Sequence, residues 1–110
     1  MNNMERLNAF FQAENSRDWD VFSEYLHEEV MWFLHGEDAH LPVAGRQEYM
    51  ERILAGYAET DATFTWEILQ ESASGNRIVT LLRNSRGGRS MNVFDFENGL
   101  IRWEHEFTLD

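Results

Sequence analysis

Ile78-Val79-Thr80-Leu81-Leu82, Met91-Asn92-Val93-Phe94-Asp95-Phe96 and Leu100-Ile101-Arg102-Trp103-Glu104-His105-Glu106-Phe107 are three runs rich in β-branched and aromatic residues. Ser85-Arg86-Gly87-Gly88 separates the first two, and Glu97-Asn98-Gly99 separates the last two. Runs of this composition, punctuated by Gly and Asn, predict an antiparallel meander. The rest of the chain must cover one face of it.

Working back from the meander, Phe64, Trp66 and Ile68 alternate with Thr65 and Glu67, so 62–71 reads as a fourth strand with one wet face; Ser74-Gly75-Asn76 turns it into the meander. Arg46 opens a helix whose apolar face is Met50, Ile53, Leu54 and Tyr57, closed by Glu59-Thr60-Asp61. Gly36 to Gly45, with the single proline Pro42, is a polar loop. Val30-Met31-Trp32-Phe33-Leu34 before it is a short apolar run suited to a buried strand. Asp18 caps a helix carrying the stripe Trp19, Phe22 and Leu26. Ahead of it Asn2 and Asn3 cap a helix from Met4 to about Asn15-Ser16, with Met4, Leu7, Phe10 and Phe11 on one face. Helices followed by strands give the α+β class, with three N-terminal helices packed on a curved antiparallel sheet.

The 110 residues form one domain, 1–110, with 43% apolar and 14% aromatic residues. No window approaches the run of about 18 apolar residues needed to span a membrane. No export leader is visible, so the expected location is cytoplasmic. There is no cysteine, which excludes thiol chemistry and disulfides. Twenty acids stand against nine bases, for a net charge of −11, and every base is arginine. The absence of lysine excludes Schiff-base catalysis and a Walker-type phosphate site. The acidic balance excludes nucleic acid as a partner, because such binding rests on neutralising phosphates. Arg86-Gly87-Gly88-Arg89 is read as a hairpin turn.

Arg17-Asp18-Trp19-Asp20, Tyr25-Leu26-His27-Glu28-Glu29-Val30-Met31-Trp32, Gly45-Arg46, and Asn98-Gly99-Leu100-Ile101 with Phe107 occur in the order and spacing of the nuclear transport factor 2-like superfamily. The chain resembles that superfamily, which includes ketosteroid isomerases, polyketide cyclases and limonene epoxide hydrolase. The resemblance implies a conical, cystatin-like fold, a largely apolar pocket between helices and sheet, no cofactor, and a homodimer through the sheet face.

Against the isomerase pattern, Leu34 stands where the aspartate base belongs and Phe10 where the oxyanion-hole tyrosine belongs. Asn92 occupies the other oxyanion-hole position and keeps an amide donor. Against the epoxide hydrolase pattern, Trp32 and Leu34 replace a tyrosine and an asparagine, Leu82 and Asn84 replace an Arg-x-Asp, and Glu106 falls on the water-orienting aspartate. By family register Phe10, Trp32, Leu34, Leu82, Asn84, Phe94, Phe96 and Glu104 line the pocket, with Glu106 and Asn92 as the catalytic candidates.

Glu104 and Glu106 alternate with Trp103, His105 and Phe107, placing both acids on one sheet face about 6.5 Å apart. Local hydrophobicity turns Ile101, Trp103 and Phe107 to the core and the acids to water, whereas the family register turns the acids inward. Inward-facing acids would have raised pKa values. His105, between the two acids, is expected to favour its protonated form. His35, Glu37, Asp38 and His40 crowd one loop in a spacing that matches no metal motif, and no metal is expected. Two functions follow: a small-molecule-binding protein with an apolar ligand, or a cofactor-free isomerase, cyclase or hydrolase with Glu106 as base and Asn92 polarising an oxygen.

Overall fold

The computed structural model describes residues 1–36 and 42–110. In chain order the elements are α1 (Asn3–Ser16), α2 (Trp19–Glu24), β1 (Leu26–His35), β2 (Val43–Ala44), α3 (Arg46–Tyr57), β3 (Phe64–Glu71), β4 (Arg77–Asn84), β5 (Arg89–Glu97) and β6 (Leu100–Thr108). The strands form one sheet in the order β2-β1-β6-β5-β4-β3, and the three helices pack on it. The fold is α+β. Four of the five pairings are antiparallel, and β1 runs parallel to β6, so the sheet is mixed.

α1 starts one residue before the expected Met4, because Asn2 and Glu5 form a reciprocal capping box. The Asn2 side chain accepts from the Glu5 N–H at 2.8 Å, and Glu5 accepts from the Asn2 N–H at 2.9 Å. The helix stops at Arg17, which adopts the left-handed conformation (φ 60°). Its guanidinium donates to the carbonyls of Glu14, Thr60 and Ala62, tying the end of α1 to the segment after α3. Asp18 caps α2 as expected, but the helix does not reach Leu26. The Tyr25 carbonyl accepts from the Ile101 N–H at 2.8 Å, so the chain is captured by β6 and Leu26 becomes the first residue of β1. β2 lies inside the expected polar loop.

In β6 the pairs Asp95↔Trp103 and Phe96↔Ile101 leave Arg102 unopposed, forming a bulge. Strand alternation breaks there, so Ile101 and Glu104 face the same side although they are three residues apart. The reading from local hydrophobicity therefore holds only for Ile101, which points to the core; the acids point inward with it, as the family register has them, and Trp103 and Phe107 point outward.

The inner sheet face has two cross-strand rows. One runs Leu34, Glu106, Asn92, Thr80, Ile68; the next runs Trp32, Glu104, Phe94, Ile78. The helices fill the space over the second row. Phe10 stacks on Phe22 at 4.2 Å, and Phe11 meets Phe64 and Phe94 edge-on at 5.4 and 5.5 Å. Each such ring removed from water contributes about 1.5–3 kcal/mol. The outer face carries Phe33, His105, Val93 and Val79 in one row, and His35, Phe107, Met91 and Leu81 in the next.

Candidate functional site

Glu104 is 3% exposed and fully engaged. Its Oε1 accepts from the Tyr49 hydroxyl at 2.5 Å and its Oε2 from the Asn92 amide at 2.9 Å. Burial, reinforced by the charge of Glu106, pushes its pKa up to about 8 although both hydrogen bonds favour the ionised form. Tyr49, at 2% exposure, is itself raised well above the ordinary phenol value by burial and by the neighbouring carboxylate.

Asn92 links this buried acid to the next one. Its Nδ2 also donates to Glu106 at 3.2 Å, and its Oδ1 accepts from the Ser90 hydroxyl at 2.7 Å, which orients the amide. Glu106 is half-buried, and burial raises its pKa against the opposing pull of Asn92, Trp32 and Arg52. The buried Trp32 Nε1 has no hydrogen-bond partner among the described residues.

A third acid comes from the helices. Glu14 projects from α1, and its Oε2 accepts from the Tyr57 hydroxyl at 2.5 Å. Burial pushes Glu14 up to about 7, the charge of Glu106 adds to the rise, and Tyr57 and Arg17 oppose it. The Arg17 guanidinium sits 4.1 Å above the Tyr57 ring and holds it in place.

A cavity of about 240 Å³ lies between the layers. Glu14 and Tyr57 border it from the helices and Phe64, Leu82, Asn84 and Glu106 from the sheet, while Arg89 and Asp110 form an ion pair at its rim. The expected chamber was largely apolar; the wall of this cavity is mixed, with acids from both layers.

Of the expected site residues, Glu106, Leu82 and Asn84 line this cavity. Asn92 and Glu104 stand behind Glu106, and Trp32 and Leu34 lie beside them on β1. Phe10, Phe94 and Phe96 are 1%, 1% and 5% exposed in a filled core and do not border it. Glu37, Asp38 and His40 lie outside the described residues, and among the described residues no three His, Cys, Asp or Glu side chains converge as metal ligands. His105 stacks on Phe33 at 4.6 Å on the outer face. Its pKa is lowered by burial and by His35, contrary to the expectation of a favoured charge, because Glu104 and Glu106 point through to the other side.

Sequence reasoning missed Glu14, Tyr49 and Tyr57 as site residues. Glu14 falls four residues after Phe10 and seven after Leu7, an acid on the apolar face of α1. Tyr49, Ile53 and Tyr57 are spaced by four and form the inward stripe of α3, with Met50 half-buried beside it against the core and Leu54 44% exposed.

The family model of the SnoaL-like domain matches residues 7–104. The chain belongs to the SnoaL-like family. Its fold is that of nuclear transport factor 2-like proteins. Among solved structures, this SnoaL-like chain is similar to Bal32a from a soil-derived mobile gene cassette, at 25% identity and a TM-score of 0.80 over 98% of this chain and 89% of that one. A protein of unknown function with a cystatin-like fold from Methylobium petroleophilum matches at 13% identity and a TM-score of 0.84, over 98% and 76% of the two chains. The epoxide hydrolase/cyclase-like enzyme SalBIII, with a role in pyran ring formation in the polyether salinomycin, matches at 18% identity and a TM-score of 0.79, over 97% and 90%. No curated protein matches the chain. Among the described residues no helix is long and apolar enough to cross a membrane.

Proposed function

We propose that this SnoaL-like protein binds a small uncharged molecule in the cavity and transfers protons on it without a cofactor, with Glu106 as the base and Asn92 as its positioning donor. The observation that carries this reading is Glu106 itself: a half-buried carboxyl group on the wall of a cavity, bonded to an amide that is anchored in turn on the buried Glu104. Partial desolvation brings a carboxyl pKa toward neutrality, where general acid–base catalysis is most effective. SalBIII, an epoxide hydrolase/cyclase-like enzyme with a role in pyran ring formation, has this fold, which favours a catalytic reading. Leu34 in place of the isomerase base speaks against steroid isomerisation as such.

The test is a panel of small ketones and epoxides incubated in D₂O with the protein and with Glu106→Gln, followed by NMR for exchange and ring opening. Turnover that the variant loses is the expected result. Binding without turnover anywhere in the panel would leave a binding protein and overturn the catalytic half of the reading.

The same reading takes the chain to be a homodimer and cytoplasmic, the latter on the sequence alone. In favour of the dimer is the outer sheet face, where Met31, Phe33, Trp103, Phe107, Met91 and Val93 lie on three adjacent strands and keep part of their surface in water.

A further inference from the structure

The acid–base reading leaves a carboxyl group unused. Glu14 reaches the cavity from α1 while Glu106 reaches it from β6, so the two acids enter from the helix layer and the sheet layer respectively. Glu14 is not a solvated helix residue. Tyr57 occupies its Oε2 at 2.5 Å, and Oε1 has no hydrogen-bond partner among the described residues. Tyr57 is fixed by Arg17, whose guanidinium is held by the Thr60 and Ala62 carbonyls, and Asn15, the next residue of α1, is clamped to the Phe64 backbone by bonds of 2.8 and 3.0 Å. The end of α1 therefore presents Glu14 to the cavity in a preorganised way.

We propose that Glu14 is a second catalytic carboxyl group, the proton donor to the substrate oxygen that complements the Glu106 base, and that the two together enolise a small uncharged ketone held between the layers. This rests on the proton-transfer role proposed above for Glu106. The Glu106 carboxylate takes a proton from the carbon next to the carbonyl; the C–H pair becomes the C=C bond, and the C=O π pair takes the proton from Glu14. The products are the enol, neutral Glu106 and the Glu14 carboxylate, so protons and charge balance. Reprotonation of carbon by Glu106 and return of the enol proton to Glu14 restore the start. Tyr57 donates to Glu14 throughout and stabilises the charge that appears there during the step. An anionic ligand would be repelled by the acids, and a cation would hold both carboxyls ionised and remove the proton donor.

The groups that set the protonation of Glu14 are Tyr57 on α3, Arg17 at the end of α1 and Glu106 on β6, with the Arg89–Asp110 pair at the rim. Burial holds Glu14 near 7, so the neutral donor is present below that pH and is lost above it. The experiment is α-proton exchange of cyclohexanone and cyclopentanone in D₂O across pH 5–9, with wild type, Glu14→Gln, Tyr57→Phe and Glu106→Gln, alongside ¹³C-carboxyl NMR of glutamate-labelled protein. Wild type is expected to lose rate as pH rises through about 7. Glu14→Gln should slow exchange at least about tenfold, abolish that limb, and remove the carboxyl resonance that titrates there. Tyr57→Phe should move the limb to higher pH, because the hydrogen bond that favours the carboxylate is gone. Thermal melting of each variant reports whether it is folded. Wild-type rate and profile in Glu14→Gln, with Glu106→Gln inactive, would overturn the role of Glu14 and leave that of Glu106 standing. Absence of exchange in wild type would overturn both.

Discussion

Tyr49 on α3 and Glu104 on β6 share a hydrogen bond of 2.5 Å between groups that are each at least 97% removed from water. The bond joins the helix layer to the sheet at the centre of the inner face. Tyr49→Phe keeps the ring and its contact with Trp32 but strips one of the two donors from Glu104. We expect a loss of about 1–3 kcal/mol in urea unfolding at pH 8–9 and a smaller loss at pH 5, where a neutral carboxyl no longer needs the donor. In a Glu104→Gln background the cost at pH 8–9 should shrink. Equal costs at both pH values would mean that the hydroxyl does not support the charge.

The pH dependence of stability follows from Glu104 and Glu14, raised to about 8 and about 7. A raised carboxyl pKa means that the folded state holds the proton more tightly than the unfolded chain. This contribution is fully present below the unfolded value of about 4.5 and is lost as pH rises through the folded values. Unfolding free energy should therefore fall between about pH 4.5 and pH 8. Glu104→Gln should flatten the upper part of that slope, with the Asn92 amide turning over to accept from the new NH₂. The gain at pH 8 is expected to be at least about 1 kcal/mol. A denaturation series at five pH values measures it; a profile identical to wild type would show that Glu104 ionises as freely as in the unfolded chain.

Light scattering at micromolar concentration is expected to give twice the chain mass. Trp103→Glu and Phe107→Glu place charge in the middle of the outer face and should each produce a monomer with an intact far-ultraviolet spectrum. A wild-type monomer would remove the dimer from the proposed function.

Leu34→Asp is expected not to create ketosteroid isomerase activity. Leu34 is the cross-strand neighbour of Glu106, so the new acid raises the pKa of both groups, and Phe10 has no hydroxyl and is stacked into the core on Phe22. The variant should be less stable at pH 8 than at pH 5. Turnover of a model ketosteroid by this single variant would contradict the assignment.

The meander was legible because its turns need residues that tolerate positive φ, and Asn98 (φ 52°), Gly99 (φ 79°) and Gly87 (φ 92°) supply them. Glu106, Asn92 and Glu104 were reachable through family register. What defeated the local reading was the bulge at Arg102, since alternation counted from Ile101 puts both acids in water. β2 is two residues long and carries no periodic signal. The parallel β1–β6 pairing joins residues more than seventy apart, and no short-range pattern encodes it. Glu14 and Tyr49 were hidden because a polar residue on a helix is ordinarily assigned to the wet face; only the spacing of Glu14 from Leu7 and Phe10 gives it away.

The parallel pairing also sets an order of events. β4, β5 and β6 close on one another through short turns, and such local contacts form rapidly with little loss of chain entropy. β1 finds its partner only across the whole intervening chain, so it is expected to dock onto a meander that already exists, bringing β2 and α3 with it. During synthesis, then, the early apolar segment Val30–Leu34 waits for the last strand to emerge. Substitutions in the β5–β6 turn should slow folding, whereas those at the β1–β6 seam should mainly hasten unfolding.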